Sequence, residues 1–122
     1  MNDDDAIDPA MKLVALCPSA EVSEGAIRLA VLPGGHRLAL YQVDGEFFAT
    51  DDTCTHGAAS LAEDGTVEGP YVECGWHNGR FDIRSGEACG MPCTAALRSW
   101  PVQVVKGQVC VAVQDGATSA AR

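Results

Sequence analysis

Two short cysteine–histidine pairs constrain what this chain can fold into. One residue separates Cys54 from His56, and two residues separate Cys74 from His77. Another 17 residues lie between the two pairs, which gives the pattern C-x-H-x17-C-x2-H. A thiolate and an imidazole this close together cannot grip one ion well from a regular strand, whereas two turns that face each other can. The pattern therefore predicts two ligand-bearing turns, with the residues between them forming a reversing loop structure rather than a helix.

The ligand types narrow the choice of metal. Two sulfur and two nitrogen ligands suit zinc or an iron–sulfur cluster and argue against calcium and magnesium. A zinc finger normally takes both cysteines from one turn and both histidines from a helix. Here each turn supplies one of each, and the third histidine, His36, lies far upstream. The mixed order favours a two-iron cluster; the alternatives are a structural zinc site, plain core residues, or remnants of a site that has lost its cluster.

This mixed order resembles that of Rieske proteins, in which two cysteines and two histidines hold a [2Fe–2S] cluster. More closely, the chain resembles the small Rieske-type ferredoxins of bacterial multicomponent aromatic ring-hydroxylating oxygenases. The resemblance covers residues 11 to about 113 and includes four segments beside or around the ligands, namely 43–49, 54–61, 79–86 and 100–102. It implies one [2Fe–2S] cluster per chain, bound by Cys54, His56, Cys74 and His77, and no catalytic residue.

The resemblance also implies a function. Such a protein is not an enzyme but carries one electron from an NAD(P)H-dependent flavin reductase to a terminal Rieske oxygenase, an aromatic ring-hydroxylating dioxygenase. Two alternatives remain open. One is the small Rieske-like subunit of an assimilatory nitrite reductase, and the other, of a different class, is a zinc-binding interaction module.

The ligand set and its neighbours indicate the reduction potential. With two neutral imidazoles the oxidised centre is neutral, whereas four thiolates would make it a dianion, so histidine ligation raises the potential. In high-potential Rieske proteins a disulfide joins the ligand loops and two hydroxyl groups donate to the cluster. The matching positions are Ala59 and Trp76 for the disulfide, and Gly79 and Phe81 for the hydroxyls. None of them can play these parts, so we expect a potential near roughly −150 mV.

Further residues are interpreted from their sequence context, and Pro92 from the same resemblance. Gly57, Gly75 and Gly79 are expected to allow tight turns that aim backbone N–H groups at sulfur. Pro92 falls where the family has a proline-containing loop that shields the cluster from water. His36 is expected to be solvated, and Cys110 to be a small apolar residue in a strand.

Length and charge bound the remaining possibilities. A chain of 122 residues is one domain, and no apolar run approaches the roughly 20 residues of a membrane span. The net charge of −9 weighs against nucleic-acid binding and suits protein partners with basic patches. The acidic start shows no secretory signal, so we expect a cytoplasmic protein, and we expect a monomer in isolation.

Turn signals and short β-rich segments predict an all-β fold. Asp44-Gly45 and Lys106-Gly107 each separate two such segments and predict hairpins. We expect a Rieske-like antiparallel sandwich or barrel base over 11–115, with a small cluster-binding subdomain inserted at about 54–93. Residues 1–10 are expected to be a disordered acidic arm and residues 116–122 a flexible tail.

Overall fold

The computed structural model describes residues 11–55, 59–75, 79–90 and 95–114. The predicted acidic arm and the predicted tail lie outside these ranges. Antiparallel strands make up most of the described chain, together with one short helix, α1, and a 3-10 turn at Ser19–Glu21. The elements in chain order are β1 Met11–Pro18, β2 Ile27–Val31, β3 Arg37–Val43, β4 Glu46–Asp51, α1 Leu61–Asp64, β5 Thr66–Glu68, β6 Tyr71–Glu73, β7 Arg80–Asp82, β8 Ala88–Gly90, β9 Ser99–Trp100, β10 Val102–Val105 and β11 Gln108–Gln114.

The strands form three antiparallel sheets. The strand orders are β1-β11-β10, β2-β3-β4-β9 and β5-β6-β7-β8. The first two sheets combine strands from the N-terminal and C-terminal parts of the chain, whereas the third consists of four strands that are consecutive in sequence. The predicted all-β class is confirmed.

Strand β3 lies in the middle of the protein and is buried on both faces. Leu38 and Leu40 point into one core, which they share with Val109 and Val111 of the sheet β1-β11-β10. Ala39 and Tyr41, which alternate with these leucines, point into a second core. Since successive side chains of a strand face opposite sides, the central sheet separates the two cores. We call the second one the ligand-side core, because both predicted cysteine ligands belong to it.

Local turn chemistry explains the two predicted hairpins. Asp44 and Gly45 have φ values of 53° and 81°, and Lys106 and Gly107 have 51° and 79°. Two consecutive positive φ values define the two-residue turn whose twist matches that of paired strands. The β3–β4 hairpin carries the chain directly towards Cys54.

The structure differs from the sequence-based expectation at three places. Helix α1 lies between the two ligand pairs, where the expectation of no helix was wrong, and strand β8 was not predicted. The β-rich segment before Lys106 is two strands, β9 and β10, which belong to different sheets on either side of Pro101. Proline lacks the N–H that a continuous ladder would need. No helix among the described residues is long and apolar enough to cross a membrane.

Candidate metal centre

The first ligand loop begins just after β4. Thr53 and Ser60 form an antiparallel bridge, and the N–H of Cys54 donates to the carbonyl of Ala59 at 2.9 Å. These contacts bring residues 54 and 59 together at the base of a loop. The Cys54 side chain is buried, with 2% of the residue exposed.

The second ligand loop is closed by an equivalent backbone hydrogen bond, but it lies between β6 and β7. Strands β6 and β7 pair Glu73 with Arg80, and the N–H of Cys74 donates to the carbonyl of Gly79 at 2.7 Å. Cys74 is 1% exposed. In both loops, therefore, a buried cysteine forms the first corner and its N–H bonds the carbonyl five residues later.

The structure brings the two predicted cysteine ligands into one core. The ligand-side core contains Cys54 and Cys74 together with Ala39, Tyr41, Ala59, Leu61, Val72, Phe81, Ile83 and Leu97. The other two predicted ligands, His56 and His77, lie outside the described residues, as do Gly57, Trp76 and Pro92. Ligation by all four residues therefore stays a prediction.

The described residues fit a sulfur- and nitrogen-ligated iron centre. Each loop places one thiol at its buried base, and in sequence each carries one histidine before it closes, at His56 and His77. A buried thiolate is costly unless a metal or another charge compensates it. Two such thiols, in one apolar core and on matching loops, provide half of a two-cysteine, two-histidine donor set.

Gly75 is required by a close contact rather than by a left-handed turn. A Cβ atom at this position would lie 2.1 Å from the carbonyl oxygen of Asp64, the last residue of α1. The residue that follows Cys74 thus lies directly against the end of the helix that follows the first loop. The expectation that Gly75 permits a tight turn is refined: it permits the two ligand loops to pack through α1.

Sequence reasoning missed Asp52, a completely buried carboxylate two residues before Cys54. Its Oδ1 accepts from the N–H of Ala62 at 2.8 Å, and its Oδ2 accepts from the hydroxyl of Ser60 at 2.6 Å. Ser60 is also the N-cap of α1 and accepts from the N–H of Glu63. The Ser-x-x-Glu pattern at 60–63 is the sequence signal that could have revealed this helix start.

Arg37 and Tyr41 lie near this carboxylate. Arg37 Nε lies 3.6 Å from Asp52 Oδ2. Tyr41 donates its hydroxyl to Thr50 Oγ1 at 2.8 Å, because the Thr50 hydroxyl itself donates to the Asp51 carbonyl. Burial raises the pKa of Tyr41 far above its usual value, the hydrogen bond with Thr50 opposes this, and the nearby Asp52 charge adds to it.

A third segment reaches the first ligand loop. The hydroxyl of Thr55 donates to the carbonyl of Ala95 at 2.7 Å. Ala95 is the first described residue after the 91–94 segment that contains Pro92. The contact places Ala95 against the residue that follows Cys54, while the shielding role of Pro92 stays a prediction.

Three further cysteines and His36 lie away from the two ligand loops, while Cys93 is outside the described residues. Cys17 and Cys110 are buried, and Cys110 is in β11 as predicted, whereas Cys89 is exposed and its thiol donates to the Glu87 carbonyl. His36 Nε2 lies 2.7 Å from Asp51 Oδ1, an atom that also accepts from Trp100 Nε1. The imidazole of His36 is half-exposed, so the expectation of simple solvation omitted a specific partner.

Comparison with known proteins agrees with this geometry. The chain is 61% identical over 101 residues to the ferredoxin component of the p-cumate 2,3-dioxygenase system of Pseudomonas putida, covering 83% of this chain and 86% of that protein. Its structure superposes on a ferredoxin of Sphingomonas yanoikuyae B1 with a TM-score of 0.78 at 39% identity, covering 82% and 97% of the two chains. It also matches a chain in a complex of reduced oxygenase and oxidised ferredoxin of carbazole 1,9a-dioxygenase, with a TM-score of 0.76, 41% identity, and coverage of 82% and 92%.

The family assignment decides between the metals that the ligand types allowed. The family model for the Rieske [2Fe-2S] domain matches residues 12–101, which include both ligand loops. The predicted [2Fe–2S] cofactor is therefore confirmed, and the zinc alternative is not supported. The chain belongs to the Rieske [2Fe-2S] domain family.

Proposed function

We propose that this protein is the electron-carrying ferredoxin of a bacterial aromatic ring-hydroxylating dioxygenase system. The observation that carries the proposal is the pair of equivalent loops that bury Cys54 and Cys74 in one core. The 61% identity to a dioxygenase ferredoxin favours this role over the nitrite reductase subunit. The protein transfers electrons and is not itself a catalyst.

The proposed ligands are Cys54, His56, Cys74 and His77. When bound, the [2Fe–2S] cluster accepts one electron and gives it up again. The chain's own contribution is to hold the two thiols at the buried bases of their loops and to remove water from one side of them. Phe81 and Ile83, which are 0% and 1% exposed, help to form that dry side.

Two residues of the ligand-side core, Ala59 and Phe81, favour a low reduction potential. Ala59 and Phe81 are fully packed in the ligand-side core and offer no thiol or hydroxyl to it. Hydrogen bonds to charged groups contribute about 1.5–3 kcal/mol, so without such donors a negative charge at the site is less stabilised. An electron from NAD(P)H can then pass through a carrier of roughly −150 mV and on to an oxygenase.

The proposed partners are a flavin-dependent, NAD(P)H-oxidising ferredoxin reductase and a terminal Rieske oxygenase. Support comes from a similar ferredoxin that has been solved together with its oxygenase. We place the protein in the cytoplasm and propose that it is a monomer in isolation. We also propose the domain limits 11–115, with a cluster-binding subdomain at about 54–93.

Ligand variants with matched controls test the assignment. The normal iron content should be abolished when His56 or His77 is replaced by Ala, or when Cys54 or Cys74 is replaced by Ser, because a missing ligand admits water. His36→Ala and Cys110→Ala should retain it, since His36 bonds Asp51 and Cys110 lies in β11. A wild-type reduced electron paramagnetic resonance spectrum in any ligand variant would contradict the ligand set.

Function is tested by electron delivery. The reduced wild-type protein should be reoxidised by the oxygenase component of p-cumate 2,3-dioxygenase, the system of its 61% identical relative, in the presence of substrate and oxygen. The His36→Ala control should behave in the same way, and the ligand variants should not. Failure of the wild-type protein with several ring-hydroxylating oxygenases would overturn the role but leave the ligand set intact.

A further inference from the structure

Asp52 carries a buried charge that none of the proposed ligand roles uses. The residue is 0% exposed, and its two carboxylate oxygens accept from the Ala62 N–H and the Ser60 hydroxyl. The nearest cation is Arg37, 3.6 Å away and itself 44% exposed. Arg37 is shared with Glu63, whose side chain is 66% exposed. An isolated buried charge is costly, so these contacts are what hold the carboxylate in place.

The first ligand loop is flanked by two segments of chain, which we call its arms. Both groups that donate hydrogen bonds to the Asp52 carboxylate lie in the arm that follows the loop. Asp52 lies before Cys54, whereas Ser60 and Ala62 lie after the loop closes at Ala59. The backbone between the arms adds two bonds, from Leu61 N–H to the Asp52 carbonyl and from Cys54 N–H to the Ala59 carbonyl. A pairing this short is marginal by itself. The Asp52 carboxylate therefore supplies side-chain hydrogen bonds that hold the two arms together.

The same contacts reach the second loop through α1. A four-residue helix is far too short to be stable alone. Its first turn is fixed by Ser60 and by the Asp52–Ala62 bond. The carbonyl oxygen of its last residue, Asp64, lies 2.1 Å from the position that a Cβ on Gly75 would take. Movement of α1 would thus move the residue next to Cys74.

We propose that Asp52 is a positioning residue of the metal centre. Its carboxylate fixes the first ligand loop directly and the second through α1, and its negative charge keeps the reduction potential below the value that a neutral amide would allow. Adding an electron beside a fixed negative charge is less favourable, and the effect grows where water is excluded. The inference rests on the proposed ligands and concerns this residue's action on them.

Asp52→Asn separates charge from shape. The amide can still accept from the Ala62 N–H and can donate to Ser60 Oγ, so iron and sulfide content should equal that of the wild type. The potential, measured by protein-film voltammetry, should rise. Glu63→Gln is the matched control, because it makes the same charge change on an exposed side chain that also pairs with Arg37. Its shift should be much smaller.

Asp52→Ala removes the side-chain hydrogen bonds that hold the two arms of the first ligand loop together. Iron release to a chelator should be about tenfold faster or more, as expected for a lost buried hydrogen-bond partner, and Asp52→Asn should restore the slow release. Wild-type release from Asp52→Ala, or equal potential shifts in Asp52→Asn and Glu63→Gln, would overturn the inference. If Asp52→Ala does not fold, the Asp52→Asn potential still decides. Wild-type protein without iron and sulfide would instead overturn the proposed function.

Discussion

Phe81 shows how one side chain can set the properties of the site. It is 0% exposed, lies in β7, and shares the ligand-side core with Cys54 and Cys74. By resemblance it occupies the position at which high-potential Rieske proteins carry a hydroxyl donor. A phenyl ring fills the same space without donating a hydrogen bond, so packing is retained while the stabilisation of added charge is lost.

Phe81→Tyr should therefore raise the reduction potential. A new hydrogen bond to a charged group of about 1.5–3 kcal/mol corresponds to roughly 60–130 mV for one electron. Phe47→Tyr is the control, because Phe47 packs on the opposite face of the central sheet, and its potential should be unchanged. Equal voltammetric potentials for wild type and Phe81→Tyr would show that the ring does not face the site.

Helix α1 acts as a spacer between the two ligand loops. It follows its N-cap residue Ser60, ends at Asp64 and leaves no room for a side chain at Gly75. Its four residues could not form a stable helix in isolation. The contact with Gly75 and the bonds from Asp52 therefore define both its existence and its position.

Gly75→Ala should disrupt this arrangement. The added methyl group would meet a backbone carbonyl at 2.1 Å, and overpacking of this kind costs about 1–3 kcal/mol. We expect a lower urea midpoint together with a reduced iron content. Gly34→Ala is the control, since no atom lies within 4 Å of its Cβ position. Wild-type iron content in Gly75→Ala would show that the loops do not depend on this contact.

Across the whole molecule, acidic charge dominates the surface. The chain has 8 basic and 17 acidic residues. Among the described residues, the arginines at positions 28, 37, 80 and 84 each lie within 4.0 Å of a carboxylate. Each pair neutralises a positive and a negative charge, so the excess of nine acidic over basic residues leaves a net negative charge that can attract basic docking sites on partners.

Electron transfer to the partner proteins should therefore slow as salt rises. The Debye length of about 8 Å at physiological ionic strength shortens further with added salt and weakens long-range attraction. Stopped-flow reduction by the reductase can be followed over a salt series, with a small uncharged electron donor as the control. Rates that do not change with salt would indicate apolar docking.

Features fixed by local chemistry were predictable from the sequence. Asp44-Gly45 and Lys106-Gly107 specify their hairpins through positive φ. Features that depend on tertiary contacts were not. Helix α1 is held at its first turn by hydrogen bonds to Asp52, and β8 is an Ala-Cys-Gly strand with weak β propensity that pairs with β7. Nothing local to Asp52 says that it is buried.

Iron and acid-labile sulfide analysis of the anaerobically purified protein tests the central claim most directly. The account predicts about two iron and two sulfide per chain in a red-brown protein. Loss of both in the Cys54→Ser and Cys74→Ser variants, with retention in Cys110→Ala, would tie them to the two buried loops. One zinc per chain and no sulfide in the wild-type protein would contradict the account.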